Sequence, residues 1–264
     1  MNSVRHFLLA VQFFTRIPIT GKLADFASFS PEALRNSAAH FPGVGWIVGI
    51  VCAGSFWSLC KLLPETPATP WVCAFLSTTI GVLLTGGFHE DGLADLADGL
   101  GGAANRERAL EIMKDSRIGS FGTLALTLAL LGKCAMLGML AHIDWLIASF
   151  SIFAAHVSSR TAPLFIIGSL QHIGDAGGSK SKPLADRITK RALIVGVVWC
   201  LLAFALTNWA VPSPRWRSGV ICAALSALWM GRMLQKRLGG FTGDGLGATQ
   251  QVSELAFYLG VGLG

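Results

Sequence analysis

From residue 41 to its end the chain is a succession of apolar runs, roughly 41–63, 70–89, 121–141, 145–170, 192–211, 216–234 and 245–264. Each is close to the ~20 residues that an α-helix needs to cross a bilayer. Backbone inside hydrocarbon must be satisfied within its own segment, so the pattern predicts an all-α fold: a polytopic membrane bundle of about seven spans in a single domain over residues 1–264. The run at 145–170 is the candidate for a broken helix, because His156, Ser158, Ser159, Arg160 and Pro163 interrupt it. Composition agrees. Apolar residues make up 52% and charged residues 14%, against about 45–50% and about 25% in soluble domains.

Ahead of the first span, the short apolar stretch from Arg5 to Phe14 is ended by Arg16 and Pro18 without a small-residue cleavage site. It reads as a retained segment lying on the membrane surface. Lys and Arg residues then set the orientation. With the N-terminus inside, the inner segments hold sixteen of them and the outer loops hold only Arg215 and Arg217. That asymmetry predicts a cytoplasmic N-terminus and gathers every polar, glycine-punctuated segment on the cytoplasmic side. Such one-sidedness suits an enzyme working at that face better than a transporter, which needs a path to both.

Two function classes drop out on composition. The net charge of +6 is spread over several loops with no basic stripe carrying interleaved aromatics, which argues against nucleic acid. The six cysteines fall inside apolar runs with no Cys-x-x-Cys pair, so they read as small buried hydrophobes rather than as disulfides or a zinc site.

The densest chemistry lies in Gly86-Gly87-Phe88-His89-Glu90-Asp91-Gly92-Leu93-Ala94-Asp95-Leu96-Ala97-Asp98-Gly99, at the end of an apolar run. On a helix, Asp91, Asp95 and Asp98 stand at i, i+4 and i+7 and share one stripe, with Glu90 about a quarter turn away. Crowded carboxylates at a membrane interface call for a cation, and all-oxygen ligation favours magnesium or manganese over zinc. Next comes Met113-Lys114-Asp115-Ser116-Arg117-Ile118-Gly119, with side-chain donors directly before a helix, a cradle suited to phosphate. Acids for a metal beside bases for phosphate is the division of labour that phosphoryl transfer needs. The turn Thr242-Gly243-Asp244-Gly245-Leu246-Gly247 lacks the Lys and the spacing of a P-loop, and Asp244 and Glu254 stand as further candidates. Arg160, inside a span, calls for a carboxylate or phosphate partner.

Taken together, Phe14-Thr15-Arg16-Ile17-Pro18, Phe41-Pro42-Gly43-Val44-Gly45, the Gly87–Asp95 motif with Asp98-Gly99, Lys114–Gly119, and Gly239-Gly240-Phe241-Thr242-Gly243-Asp244 with Leu246-Gly247-Ala248 resemble the cobalamin synthase family, the adenosylcobinamide-GDP ribazoletransferases. The resemblance is collinear over nearly the whole chain. It implies a multi-pass enzyme of a bacterial inner membrane that joins adenosylcobinamide-GDP to α-ribazole or its 5'-phosphate, releases GMP and uses Mg2+. It also implies a site: Asp95, Asp98 and Asp115 in catalysis; Asp91, Asp95, Asp98 and Glu90 around the metal; Lys114, Ser116, Arg117, Arg16, His89, Thr242 and Asp244 on the substrates. Its partners are those substrates and the lipid bilayer, with no nucleic acid; the pattern is neutral between a monomer and a homo-oligomer. The chain departs from the family pattern at Glu90, where members carry an apolar residue, and at Gln251, where many carry Glu. A CDP-alcohol phosphotransferase acting on lipids is the nearest alternative, but its Asp-Gly pattern expects Ala-Arg where Ala94 is followed by Asp95. A cation transporter, the third reading, predicts carboxylates near the middle of several spans.

Overall fold

The computed structural model describes residues 2–173 and 188–264; the glycine-rich segment 174–182, read as a loop, lies outside the described residues, as do Lys180, Lys182 and Arg187 of the orientation count. The helices are α1 (Asn2–Phe14), α2 (Lys22–Phe26), α3 (Pro31–Ser37), α4 (Phe41–Leu62), α5 (Thr69–Thr85), α6 (Phe88–Gly102), α7 (Arg106–Ile112), α8 (Ser120–Ile143), α9 (Trp145–Ser169), α10 (Lys190–Ala210), α11 (Arg215–Leu238) and α12 (Gly243–Leu263). A 3-10 turn, Ala38–His40, joins α3 to α4. Among the described residues the remaining regular pairing is a single parallel bridge between His172 and Phe241.

Local chemistry sets the helix ends. Ser30, Asn105, Asp144, Thr189 and Thr242 each accept a backbone N–H of the first turn that follows, as caps of α3, α7, α9, α10 and α12. Pro31 and Pro42 stand in the first turns of α3 and α4, where a missing N–H costs nothing.

Seven of these helices, α4, α5 and α8 to α12, coincide with the seven apolar runs, yet fewer have the length and apolarity of a span. Four candidates stand alone: α3–α4 together (Pro31–Leu62), α8, α9 and α10. A fifth arises if α5 and α6 count as one bent span. The expectation of about seven is therefore not met by apolarity, because α11 carries Arg215, Arg217, Arg232, Lys236 and Arg237 and α12 carries Asp244, Gln250, Gln251 and Glu254. Large apolar side chains such as Leu128, Leu131, Leu201, Trp209 and Leu225 point outward from α8, α10 and α11, as a lipid-facing surface requires.

The break is also not where the sequence puts it. Helix α9 runs unbroken through Pro163 as the axis of the bundle: 89% of its apolar window is buried, against 22% for α8 and for α10. Its polar residues face protein, so they do not need an unwound backbone. The chain turns by 90° instead between α5 and α6, at Gly86 and Gly87, both of which adopt the left-handed conformation (φ 70° and 71°) that only glycine takes without strain. Helix α6 then crosses α12 at a glycine contact. A Cβ on Gly92 would stand 3.0 Å from the Cα of Asp244, and one on Gly247 would stand 3.4 Å from the Cα of Gly92. That close approach brings the acidic stretch against the start of α12.

Candidate active site at the acidic end of the bundle

Asp98 is the most constrained of the predicted carboxylates. It is 8% exposed, and its two oxygens accept the backbone N–H groups of Gly119 (2.7 Å) and Gly122 (2.8 Å) at the start of α8. Gly119, the cap position, has no side chain to do this itself, and a Cβ at either glycine would collide with the Asp98 carboxylate. Asp98 thus caps α8 from outside and ties the Lys114–Gly119 loop to α6. These two bonds fix the position of Asp98, and each oxygen keeps a second lone pair facing away from the amide it accepts. We expect Gly122→Ala to unseat this cap and cost about 2 kcal/mol of stability. A melting midpoint in detergent equal to that of the wild type would remove the cap from the account.

Asp91 and Asp95 keep the common face. Asp91 is exposed, Asp95 is half-buried, and the charges of Asp244, Asp91 and Asp98 all bear on Asp95, while Asp91 bears on Asp244. Asp244 of α12 therefore lies within electrostatic reach of both, brought in by the Gly92–Gly247 crossing. Among the described residues no group of three or more His, Cys, Asp or Glu side chains is arranged to close around a metal ion. The donor set still fits magnesium, which is held by one or two carboxylates together with substrate phosphates and waters rather than by a protein cage. Glu90 lies apart from this cluster: its Oε1 accepts from Gln251 Nε2 at 3.0 Å, and its Oε2 is buried without a partner.

The remaining predicted residues gather at the same end. Arg117 donates twice to Asp115, from Nε (3.0 Å) and Nη2 (2.6 Å), and this guanidinium holds the Asp115 carboxyl down at about 2. A carboxylate so stabilised is a poor proton acceptor near neutrality, which argues against Asp115 as a base. Lys114, Ser116 and Arg117 are exposed on the loop that Asp98 anchors. Arg16 donates its backbone N–H to Leu84 O (2.7 Å), and its guanidinium lies against Gly86 at the hinge. Thr242 caps α12 through Gly245 N (3.1 Å), which makes it a residue that positions Asp244. His89 is buried and stacks on Phe14, with ring centroids 5.9 Å apart.

Residues 6–262 match the model of the cobalamin-5-phosphate synthase family. An adenosylcobinamide-GDP ribazoletransferase of Polaromonas sp. (strain JS666 / ATCC BAA-500) is 53% identical over 98% of this chain and 96% of its own length. The chain belongs to the cobalamin-5-phosphate synthase family. The protein of the same name from Albidiferax ferrireducens is 52% identical, over 99% of this chain and 98% of its own. That of Vibrio cholerae serotype O1 (strain ATCC 39541 / Classical Ogawa 395 / O395) is 39% identical over 96% and 91%. No solved structure matches.

Behind the acidic end, this cobalamin-5-phosphate synthase family member carries a buried polar layer that the sequence reading only touched. Glu254 of α12 accepts from Lys133 Nζ (2.5 Å), Gln250 Nε2 (2.8 Å) and Tyr258 Oη (2.9 Å), with His156 Nδ1 at 3.7 Å. Arg160 Nη1 contacts His156 Nδ1 at 3.1 Å and donates to its carbonyl at 3.0 Å. Lys133 was missed. A lone lysine amid the leucines of α8 was nevertheless a signal, since an intramembrane charge is costly and demands a partner. Gln251 of α12 donates to Glu90 of α6 (3.0 Å), which joins the two helices at this layer.

Proposed function

We propose that the chain transfers the cobinamide phosphate of adenosylcobinamide-GDP to α-ribazole, or to its 5'-phosphate, with release of GMP, at the cytoplasmic face of a bacterial inner membrane with its N-terminus inside. The observation that carries this reading is the convergence of Asp91 and Asp95 from α6 with Asp244 from α12, beside a Lys114–Arg117 loop anchored on that same helix. The names of its relatives supply the two substrates, and the excess of Lys and Arg in the inner segments supports the sidedness.

In this reading a ribose hydroxyl oxygen of the acceptor attacks the phosphorus on the cobinamide side of the diphosphate. A new P–O bond forms, the bond to the bridging oxygen breaks, and GMP leaves with that oxygen. Asp95, flanked by the other acids and free of the backbone bonds that engage Asp98, takes the hydroxyl proton. Lys114, Ser116 and Arg117 bind non-bridging oxygens, and Arg16 holds the hinge from which α6 departs. Asp91 and Asp244 would hold magnesium, which supplies charge neutralisation on the diphosphate.

The test is turnover by purified protein in detergent with adenosylcobinamide-GDP and α-ribazole, followed by GMP release and by the corrinoid product, with and without magnesium. Magnesium-dependent formation of both products is expected. Absence of product with every divalent ion tried would overturn the assignment.

A further inference from the structure

One feature near the carboxylates has no part in phosphoryl chemistry. Phe13 and Phe14 of α1, Phe41 of α4, and Phe88 and His89 of α6 wall a narrow cleft that is also lined by Arg160 of the central helix α9. The rings hold one another in place. Phe14 stands edge-on to Phe41 (4.3 Å) and to Phe88 (5.4 Å), and Phe13 edge-on to Phe88 (5.5 Å). The cleft also reaches Gly243, Gly247 and Gln250 of α12, so it adjoins the α6–α12 crossing. Phe88 lies one helical turn before Gly92 and two before Asp95 on one face of α6.

Arg160 is 4% exposed, and its Nε has no hydrogen-bond partner. Among the described residues that line the cleft it is the one guanidinium or ammonium group. A purely hydrocarbon occupant would leave that buried donor unpaired. A phosphate would need several donors and would bring its charge into walls that are otherwise almost wholly apolar. A flat aromatic ring with one bare acceptor nitrogen at its edge satisfies both the walls and that guanidinium.

We propose that this cleft binds the benzimidazole ring of the acceptor nucleoside, with Arg160 Nε donating to the ring nitrogen that carries no sugar. The inference rests on the ribazole transfer proposed above. Guanine, the other heterocycle in that reaction, fits poorly. Its N–H groups need acceptors, and Gln250, the amide in the lining, already accepts from Gln251 on Oε1 and donates to Ser159 and Glu254 from Nε2.

The test compares α-ribazole with the riboside in which the bare ring nitrogen is replaced by C–H, an indole riboside, on the wild-type enzyme, together with Phe14→Leu and Arg160→Gln. Wild type should prefer α-ribazole by about 10- to 100-fold in kcat/KM, the range of a hydrogen bond to a charged group. Arg160→Gln should bring that preference close to one. Phe14→Leu should raise the KM for α-ribazole about 10-fold while leaving the KM for adenosylcobinamide-GDP within about 2-fold. Equal kcat/KM for the two ribosides on wild type would overturn the inference, as would parallel shifts of both KM values in Phe14→Leu. These readings stand even if Arg160→Gln fails to fold. Absence of any corrinoid product from wild type with α-ribazole would instead overturn the proposed transfer itself.

Discussion

Asp95→Asn should lose turnover by about 10³-fold and keep the wild-type melting midpoint. General-base assistance is worth about 10²–10⁴ in rate. Asparagine is nearly isosteric with aspartate but cannot accept the proton. Stability should survive because the change removes one of several like charges that bear on the same spot. The neighbours should behave differently. Asp91→Asn and Asp244→Asn are expected to raise the magnesium concentration that gives half-maximal rate, with activity recovering as the ion is raised. Steady-state rates over a magnesium titration separate the two roles. Wild-type turnover from Asp95→Asn would move the base elsewhere. Failure of excess magnesium to rescue Asp91→Asn and Asp244→Asn would take the ion away from those two carboxylates.

Lys133→Met should be the most damaging single change to stability, with no contact to substrate. It leaves Glu254 buried at 1% exposure without its ammonium partner, a loss of about 3–5 kcal/mol. On a chain of this length that lowers the melting midpoint by roughly 10 °C. The double variant Lys133→Met with Glu254→Gln should regain much of the loss, since no uncompensated charge then remains and Gln can still pair with Tyr258 and Gln250. Detergent melting curves of the two variants measure this directly. A Lys133→Met midpoint equal to wild type would show that the buried pair contributes nothing to stability.

The helical segments could be read without the structure because hydropathy and helix periodicity are local. The runs at 41–63, 145–170 and 192–211 coincide with α4, α9 and α10 to within a few residues. The clustering of the acids was legible for the same reason. The Asp91–Asp95 spacing puts both carboxylates on one face whatever the rest of the chain does. The same spacing could not show the cap that Asp98 makes. Periodicity says which side of α6 a residue occupies, whereas the N-terminus of α8 lies beside Asp98 only once the bundle has formed. The break was misplaced for a related reason: polar residues in a span signal either an unwound backbone or a protein-buried face, and sequence alone does not separate the two. Helix α9 takes the second course, and the paired left-handed glycines at 86 and 87 take the bend.

The sequence by itself determined that this chain is an all-α membrane protein, that its acids and bases stand in two short motifs, and to which family those motifs belong. These are properties of neighbouring residues, set by transfer free energy and by the 3.6-residue turn. Only the tertiary structure decided which polar groups lie together: Asp244 near Asp91 and Asp95, Asp98 on the amides of α8, Lys133 on Glu254, and Arg160 in the lining of an aromatic cleft. Each of those pairings joins segments far apart in the chain. It forms because burial at low dielectric makes an unpartnered polar group so costly that helix packing must supply a partner.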